Sequence, residues 1–148
     1  MKEYIYSLEE ISALIKKLKT DIQDCKILAL SGPLGAGKTT LIRELLSSMG
    51  VKKSEIISPT FNYVNLYRVD GDIIYHFDLY RVDSLDEFLK AGFDEYLDSG
   101  SLVLIEWPEV IAPLLQNRAC FLNIDYEGPN KRKLSLSQGI TQKITQML

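Results

Sequence analysis

The chain is poor in metal-binding side chains. It has one histidine, His76, and two cysteines, Cys25 and Cys120, which lie far apart and form no C-x-x-C pair. A zinc site is therefore excluded, and two buried thiols in a reducing compartment are the expected state of the cysteines. No apolar stretch approaches the ~20 residues of a membrane span. The opening Met1-Lys2-Glu3-Tyr4-Ile5-Tyr6 lacks the apolar core and small-residue cleavage site of a secretory leader. A cytoplasmic location without a membrane partner is expected. Positive charge is not in excess either. The formal net charge is −3, which argues against unaided nucleic-acid binding, since that rests on phosphate neutralisation by Lys and Arg. Lys52-Lys53 and Lys131-Arg132-Lys133 read as solvated loops. Repeats, low-complexity tracts and Pro/Ser-rich linkers are absent, so residues 1–148 are expected to form one domain.

What the sequence does have is Gly32-Pro33-Leu34-Gly35-Ala36-Gly37-Lys38-Thr39, a complete G-x-x-x-x-G-K-T loop. The apolar run Lys26–Leu30 before it reads as a buried strand. Thr40–Leu46 after it has helical spacing. Strand, glycine-rich loop and helix are the context in which this pattern binds phosphate. The backbone N–H groups of Gly35, Ala36 and Gly37 would face phosphate oxygens, helped by the positive end of the helix. Lys38 supplies a full charge for the outer phosphates, and the Thr39 hydroxyl is placed to ligate Mg²⁺.

The flanking sequence supports a three-layer α/β domain, P-loop NTPase-like, with a mostly parallel sheet and one inserted antiparallel hairpin. Ser7-Leu8-Glu9-Glu10 is a capping box for a helix over about 8–19. The helix after the loop ends near Gly50. Phe61–Val69, the turn Asp70-Gly71 and Ile73–Phe77 form the hairpin. Ser84-Leu85-Asp86-Glu87 caps a helix that Gly92 ends. Ser101–Ile105 is the pattern of a central parallel strand. Pro108–Gln116 reads as a helix, and Ala119–Tyr126 and Lys133–Ser137 as two late strands.

A phosphate loop needs a carboxylate at a neighbouring strand end to hold Mg²⁺. Asp78 and Glu106 both qualify. The strand before Glu106 is purely apolar and suits the sheet centre, which favours Glu106. The other acid is then free to orient or deprotonate a water, or to cap a turn. An Asn-Lys-x-Asp guanine motif is missing, so ATP is the expected nucleotide. The span after Glu106 shows no arginine-bearing lid, which weakens a small-molecule kinase. A non-catalytic nucleotide-dependent binding module is the third reading. His76 reads as a hydrogen-bonded structural histidine. Trp107, Tyr80 and Arg81 lie near the strand ends, either as packing groups or as a nucleotide or partner face.

Four segments taken together resemble the TsaE family: Gly32–Thr40 as GPLGAGKTT, Ser58-Pro59-Thr60-Phe61, His76-Phe77-Asp78-Leu79-Tyr80-Arg81, and Leu104-Ile105-Glu106-Trp107-Pro108-Glu109. The resemblance spans about 7 to 137. Pro33 departs from it, since family members often carry an acid there. The resemblance implies an accessory ATPase, slow alone and stimulated by partners, needed for threonylcarbamoyl modification of adenosine 37 in tRNAs reading ANN codons. It implies TsaD and TsaB as partners, with tRNA engaged through them. It implies that Lys38 contacts the β and γ phosphates and that Thr40 touches the α-phosphate side. Thr39 and Glu106 would hold Mg²⁺, and Asp78 would act near the γ phosphate. Ser58-Pro59-Thr60 would act as a nucleotide-sensing switch. The adenine would rest between Ser7 and Glu9 on one side and Arg132 on the other.

Overall fold

The computed structural model describes residues 1–59 and 61–138. Thr60 of the expected switch, and the chain after Gln138, lie outside the described residues. Among the described residues seven strands form one sheet: β1 (Lys2–Tyr6), β2 (Ile27–Ser31), β3 (Val64–Val69), β4 (Asp72–Asp78), β5 (Leu102–Glu106), β6 (Cys120–Tyr126) and β7 (Arg132–Gln138). Their order is β1-β7-β6-β2-β5-β4-β3. The four central strands, β6-β2-β5-β4, run parallel. Antiparallel pairs finish both edges, β4 with β3 on one side and β6 with β7 and β1 on the other.

Strand alternation divides the apolar residues between the two faces. Leu28 and Leu30 join a core with α1 (Ile11–Asp21) and α2 (Lys38–Ser48). Ile27 and Ala29 join a second core with Phe88 of α3 (Leu85–Lys90), Leu97 of α4 (Asp94–Leu97) and Ile111 of the 3-10 segment Pro108–Leu114. The result is the expected three-layer arrangement. Ser84 caps α3 by accepting from the Glu87 N–H at 3.1 Å. Asp70 and Gly71 both have positive φ, +51° and +86°, as a two-residue hairpin turn between right-twisted strands requires. Among the described residues no helix is long and apolar enough to cross a membrane.

Three expectations are corrected. The chain opens with an edge strand, β1, ahead of the first helix; it pairs with β7 from Lys2↔Leu136 to Tyr6↔Arg132. The segment Pro108–Leu114 is 3-10 and kinked at Ile111, because Pro113 inside it cannot donate to a regular helical ladder. Cys25 and Cys120 are not separate thiols. They form a disulfide, with Cα atoms 6.1 Å apart across 95 residues of sequence. The cause is topological: β6 lies beside β2 with Leu28 opposite Cys120, so both cysteines come to the same end of neighbouring strands.

The path of the glycine-rich loop depends on Gly32. The chain leaves β2 at a φ of +143° and passes so close to β6 that a Cβ on Gly32 would strike the Ile124 carbonyl. Gly37, at φ +106°, has open space where its Cβ would be. A left-handed backbone costs a non-glycine residue roughly 1–2 kcal/mol. Gly37→Ala should therefore lose about that much stability. Gly32→Ala should lose clearly more, since backbone must also move. Urea unfolding of the two variants checks this, and equal losses would contradict the close approach.

Candidate functional site

The loop between β2 and α2 lies at the carboxyl ends of the parallel strands, where open α/β sheets bind ligands. Its peptide groups are held from the β6–β7 side. Tyr126 Oη donates to Leu34 O at 3.2 Å, and Arg132 Nε donates to Ala36 O at 3.1 Å. The Arg132 guanidinium also covers the Tyr126 ring at 4.4 Å. Arg132 thus reaches the loop itself, in addition to lining the cavity beside it.

Lys38, the first residue of α2, is only 5% exposed. Its Nζ folds back to donate to Gly32 O and, at 3.3 Å, to Pro33 O. It also sits 3.7 Å from the centroid of the Trp107 ring. Burial pulls the lysine below its usual pKa, and the carboxylates of Glu106, Glu109 and Asp78 resist that fall.

The β4–β5 register puts Asp78 directly opposite Glu106. Both competing acids therefore end adjacent central strands, and both are buried. Glu106 is the one tied to the loop helix: Thr39 Oγ1 donates to its Oε1 at 2.8 Å. Its Oε2 meets His76 Nε2 at 2.7 Å. Asp78 Oδ1 accepts from the Tyr80 N–H at 3.0 Å. The following residue, Trp107, takes a left-handed backbone, φ +56° and ψ +57°, a strained geometry for a bulky side chain. Its ring lies 5.0 Å from that of Tyr80.

The residues fit a magnesium ion that arrives with phosphate. The Thr39 hydroxyl and the Glu106 carboxylate are hard oxygen donors already in contact. Among the described residues no group of three His, Cys, Asp or Glu could cage a metal alone.

Two cavities flank the loop. One, about 430 Å³, is lined by Lys38, Thr39, Thr40, Ser58, Asp78, Tyr80, Arg81, Glu106 and Trp107. It thus brings together most of the residues expected for phosphate, metal and switch. The other, about 350 Å³, is lined by Tyr6, Leu8, Ile11, the Gly35–Gly37 backbone, Thr40, Pro129, Asn130 and Arg132. Of the residues expected around a base, Arg132 lines it. Ser7 instead donates from its N–H and hydroxyl to Glu10, at 2.9 and 3.0 Å, and Glu9 is exposed. Tyr6 and Leu8 take their place. Sequence reasoning missed Tyr126 and Glu109. The second acid of the Glu106-Trp107-Pro108-Glu109 run was the available signal for Glu109. Nothing local pointed to Tyr126, since its role depends on the β6–β2 pairing.

Comparison with known proteins gives the family and the fold. Residues 5–134 match the family model of TsaE, described as threonylcarbamoyl adenosine biosynthesis protein TsaE. The chain is similar to the tRNA threonylcarbamoyladenosine biosynthesis protein TsaE of Rickettsia felis, 41% identical over 128 residues, covering 86% of this chain and 74% of that one. The protein of the same description from Aquifex aeolicus is 34% identical over 140 residues, covering 92% and 96%. The fold resembles the crystal structure of Bacillus subtilis YdiB, with a TM-score of 0.71 at 24% identity over 99% of this chain and 91% of that one.

Two outcomes follow from the charges. Lys38→Met should still fold, though less stably than the parent, because it leaves the buried Glu106 carboxylate without the opposite charge beside it. Its affinity for a fluorescent ATP analogue should fall about 100-fold or more, the loss of roughly 3 kcal/mol of charge-assisted contacts. Near-normal affinity in the folded variant would refute the phosphate-loop assignment. Glu109 is raised above its ordinary value by burial, opposed by its own backbone N–H and by Lys38. The native state therefore holds this proton more tightly than the unfolded chain. Stability from that source is complete below about pH 4.5 and is lost as pH rises through the native value. Glu109→Gln, which cannot ionise, should gain stability relative to the parent between pH 4.5 and 7 in urea unfolding. Parallel profiles would refute the assignment.

Proposed function

The chain belongs to the TsaE family of threonylcarbamoyl adenosine biosynthesis proteins, and on that premise we propose that it is the ATP-binding and ATP-hydrolysing accessory subunit of tRNA threonylcarbamoyladenosine biosynthesis. The observation that carries the nucleotide reading is the contact between Thr39 and Glu106 beneath a glycine-rich loop that opens on Lys38. The Gly35–Gly37 backbone would take the phosphates. Lys38 would exchange the Gly32 and Pro33 carbonyls for β- and γ-phosphate oxygens. Thr40 would face the α-phosphate side. The base would enter the cavity between Leu8 and Arg132. Asp78, beside Glu106 and facing the same cavity, would orient or deprotonate the attacking water. Thr39 and Glu106 would hold Mg²⁺, which neutralises charge developing between the β and γ oxygens.

The finer biological reading is also proposed. The modification is that of adenosine 37 in tRNAs reading ANN codons, in the cytoplasm, and the subunit acts on a TsaB–TsaD complex. The surface beside the phosphate cavity supports a protein partner. Leu34 is 71% exposed, Phe61 79% and Tyr80 57%. Arg81 covers the Phe61 ring at 4.8 Å. Such apolar exposure next to a reaction site marks an interaction surface. A net charge of −3 leaves tRNA contact to the partners.

An open cavity excludes water poorly, so turnover by the isolated chain should be slow. Adding TsaB–TsaD should raise ATP turnover about tenfold or more, within the ~10³-fold that a group supplied in trans to a phosphoryl transfer contributes. The check is phosphate release with and without the pair and tRNA. A phosphorylated small molecule as product would establish a kinase instead. Tight ATP binding with no turnover, even with partners, would establish a non-catalytic module.

A further inference from the structure

We infer that His76 is a positioning residue whose Nε2–H fixes the Glu106 carboxylate for magnesium. The inference rests on the assignment of Glu106 as the metal carboxylate. His76 is 1% exposed, in the centre of the sheet on β4. Burying an imidazole there is costly unless it is hydrogen-bonded, and an apolar residue would fill the space. Among the described residues its one polar partner is Glu106 Oε2, at 2.7 Å, while its Nδ1 is buried without a partner. An unpaired acceptor is tolerated better than an unpaired N–H. The proton therefore belongs on Nε2, which donates to the carboxylate.

The consequence lies on the other oxygen. With Oε2 held by His76, Glu106 presents Oε1, the atom that already meets the Thr39 hydroxyl. Three elements thus converge on one carboxylate: β5 carries it, α2 brings Thr39, and β4 brings His76. Free rotation would let the buried acid swing toward Lys38, whose ammonium it attracts. The histidine holds one rotamer, so that the hydroxyl and one carboxylate oxygen stay adjacent. His76 lines neither cavity beside the loop, and its effect passes through Glu106.

The test compares His76→Gln, His76→Asn and His76→Leu with Glu106→Gln. The readout is affinity for a fluorescent ATP analogue in EDTA and across a Mg²⁺ titration, beside thermal unfolding. A glutamine amide reaches where Nε2 stands, whereas an asparagine amide is too short. All His76 variants should bind within about threefold of the parent in EDTA. His76→Asn and His76→Leu should need about 10-fold more Mg²⁺ for the half-maximal gain in affinity, the usual scale for losing a group that orients a metal ligand. His76→Gln should stay within about threefold. If the leucine variant does not fold, the glutamine–asparagine contrast carries the result. An unchanged Mg²⁺ response in folded His76→Asn, with that of Glu106→Gln lost, overturns the positioning role alone. So does glutamine behaving like asparagine, or an equal loss of affinity in EDTA. A normal Mg²⁺ response in Glu106→Gln overturns the metal assignment and this inference with it.

Discussion

The buried carboxylate of Glu106 is the constraint around which the site is organised. A carboxylate only 2% exposed is tolerated when its oxygens are satisfied and an opposite charge stands near. Glu106 has both: a hydroxyl on Oε1, an imidazole on Oε2, and the Lys38 ammonium in its field. The partners come from two other elements, Thr39 and Lys38 from α2 and His76 from β4. To meet at one point, β4, β5 and β2 must be parallel neighbours, and α2 must start where β2 ends. The parallel centre of the sheet is what places them there. The antiparallel edges complete the two cores and, through Tyr126 and Arg132, hold the loop from its other side.

The parts legible in the sequence are those written in contiguous residues. The loop from Gly32 to Thr39 carries its own geometry in its glycines. The strand before it and the helix after it follow from apolar period. The Asp70-Gly71 turn and the Ser84 cap are local signals that the structure repeats. Asp78 and Glu106 could be recognised as strand-end acids, and the apolar run favoured Glu106, but their placement opposite each other rests on the β4–β5 register. That register is set by long-range pairing, which local spacing does not encode. The His76 contact with Glu106 and the Tyr126 contact with the loop were illegible for the same reason. So was the disulfide, since nothing near Cys25 or Cys120 announces that β6 returns to lie against β2. The opening strand was missed because Lys2–Tyr6 is a half-exposed edge whose apolar face is completed by residues of β7.

Charge explains why the site is incomplete as the chain presents it. Glu106, Glu109 and Asp78 all act on one buried lysine, and burial already weakens that lysine's hold on its proton. On the proposed reading, a nucleotide would bring several more negative charges into the same cavity. Lys38, Arg81 and the helix N-terminus leave part of that charge unbalanced in a partly desolvated space. On that reading Thr39 and Glu106, an all-oxygen donor pair, would hold a divalent cation whose charge offsets the deficit.

Lys38 and Trp107 link this balance to the exposed surface. The ammonium rests on loop carbonyls and on the face of the indole, so its charge is partly satisfied by the chain itself. That ring is held out by a strained left-handed residue and touches Tyr80, which is more than half exposed beside Phe61 and Leu34. Strain of this kind persists where the surroundings impose it. A partner seated on Tyr80 would press on the ring that carries the lysine. It would thereby change how readily Lys38 leaves the carbonyls for a phosphate. On the proposed reading, the partner surface and the phosphate site are separated by the thickness of one aromatic ring. A chain that leaves its phosphate cavity open can therefore be made dependent on another protein without a lid of its own.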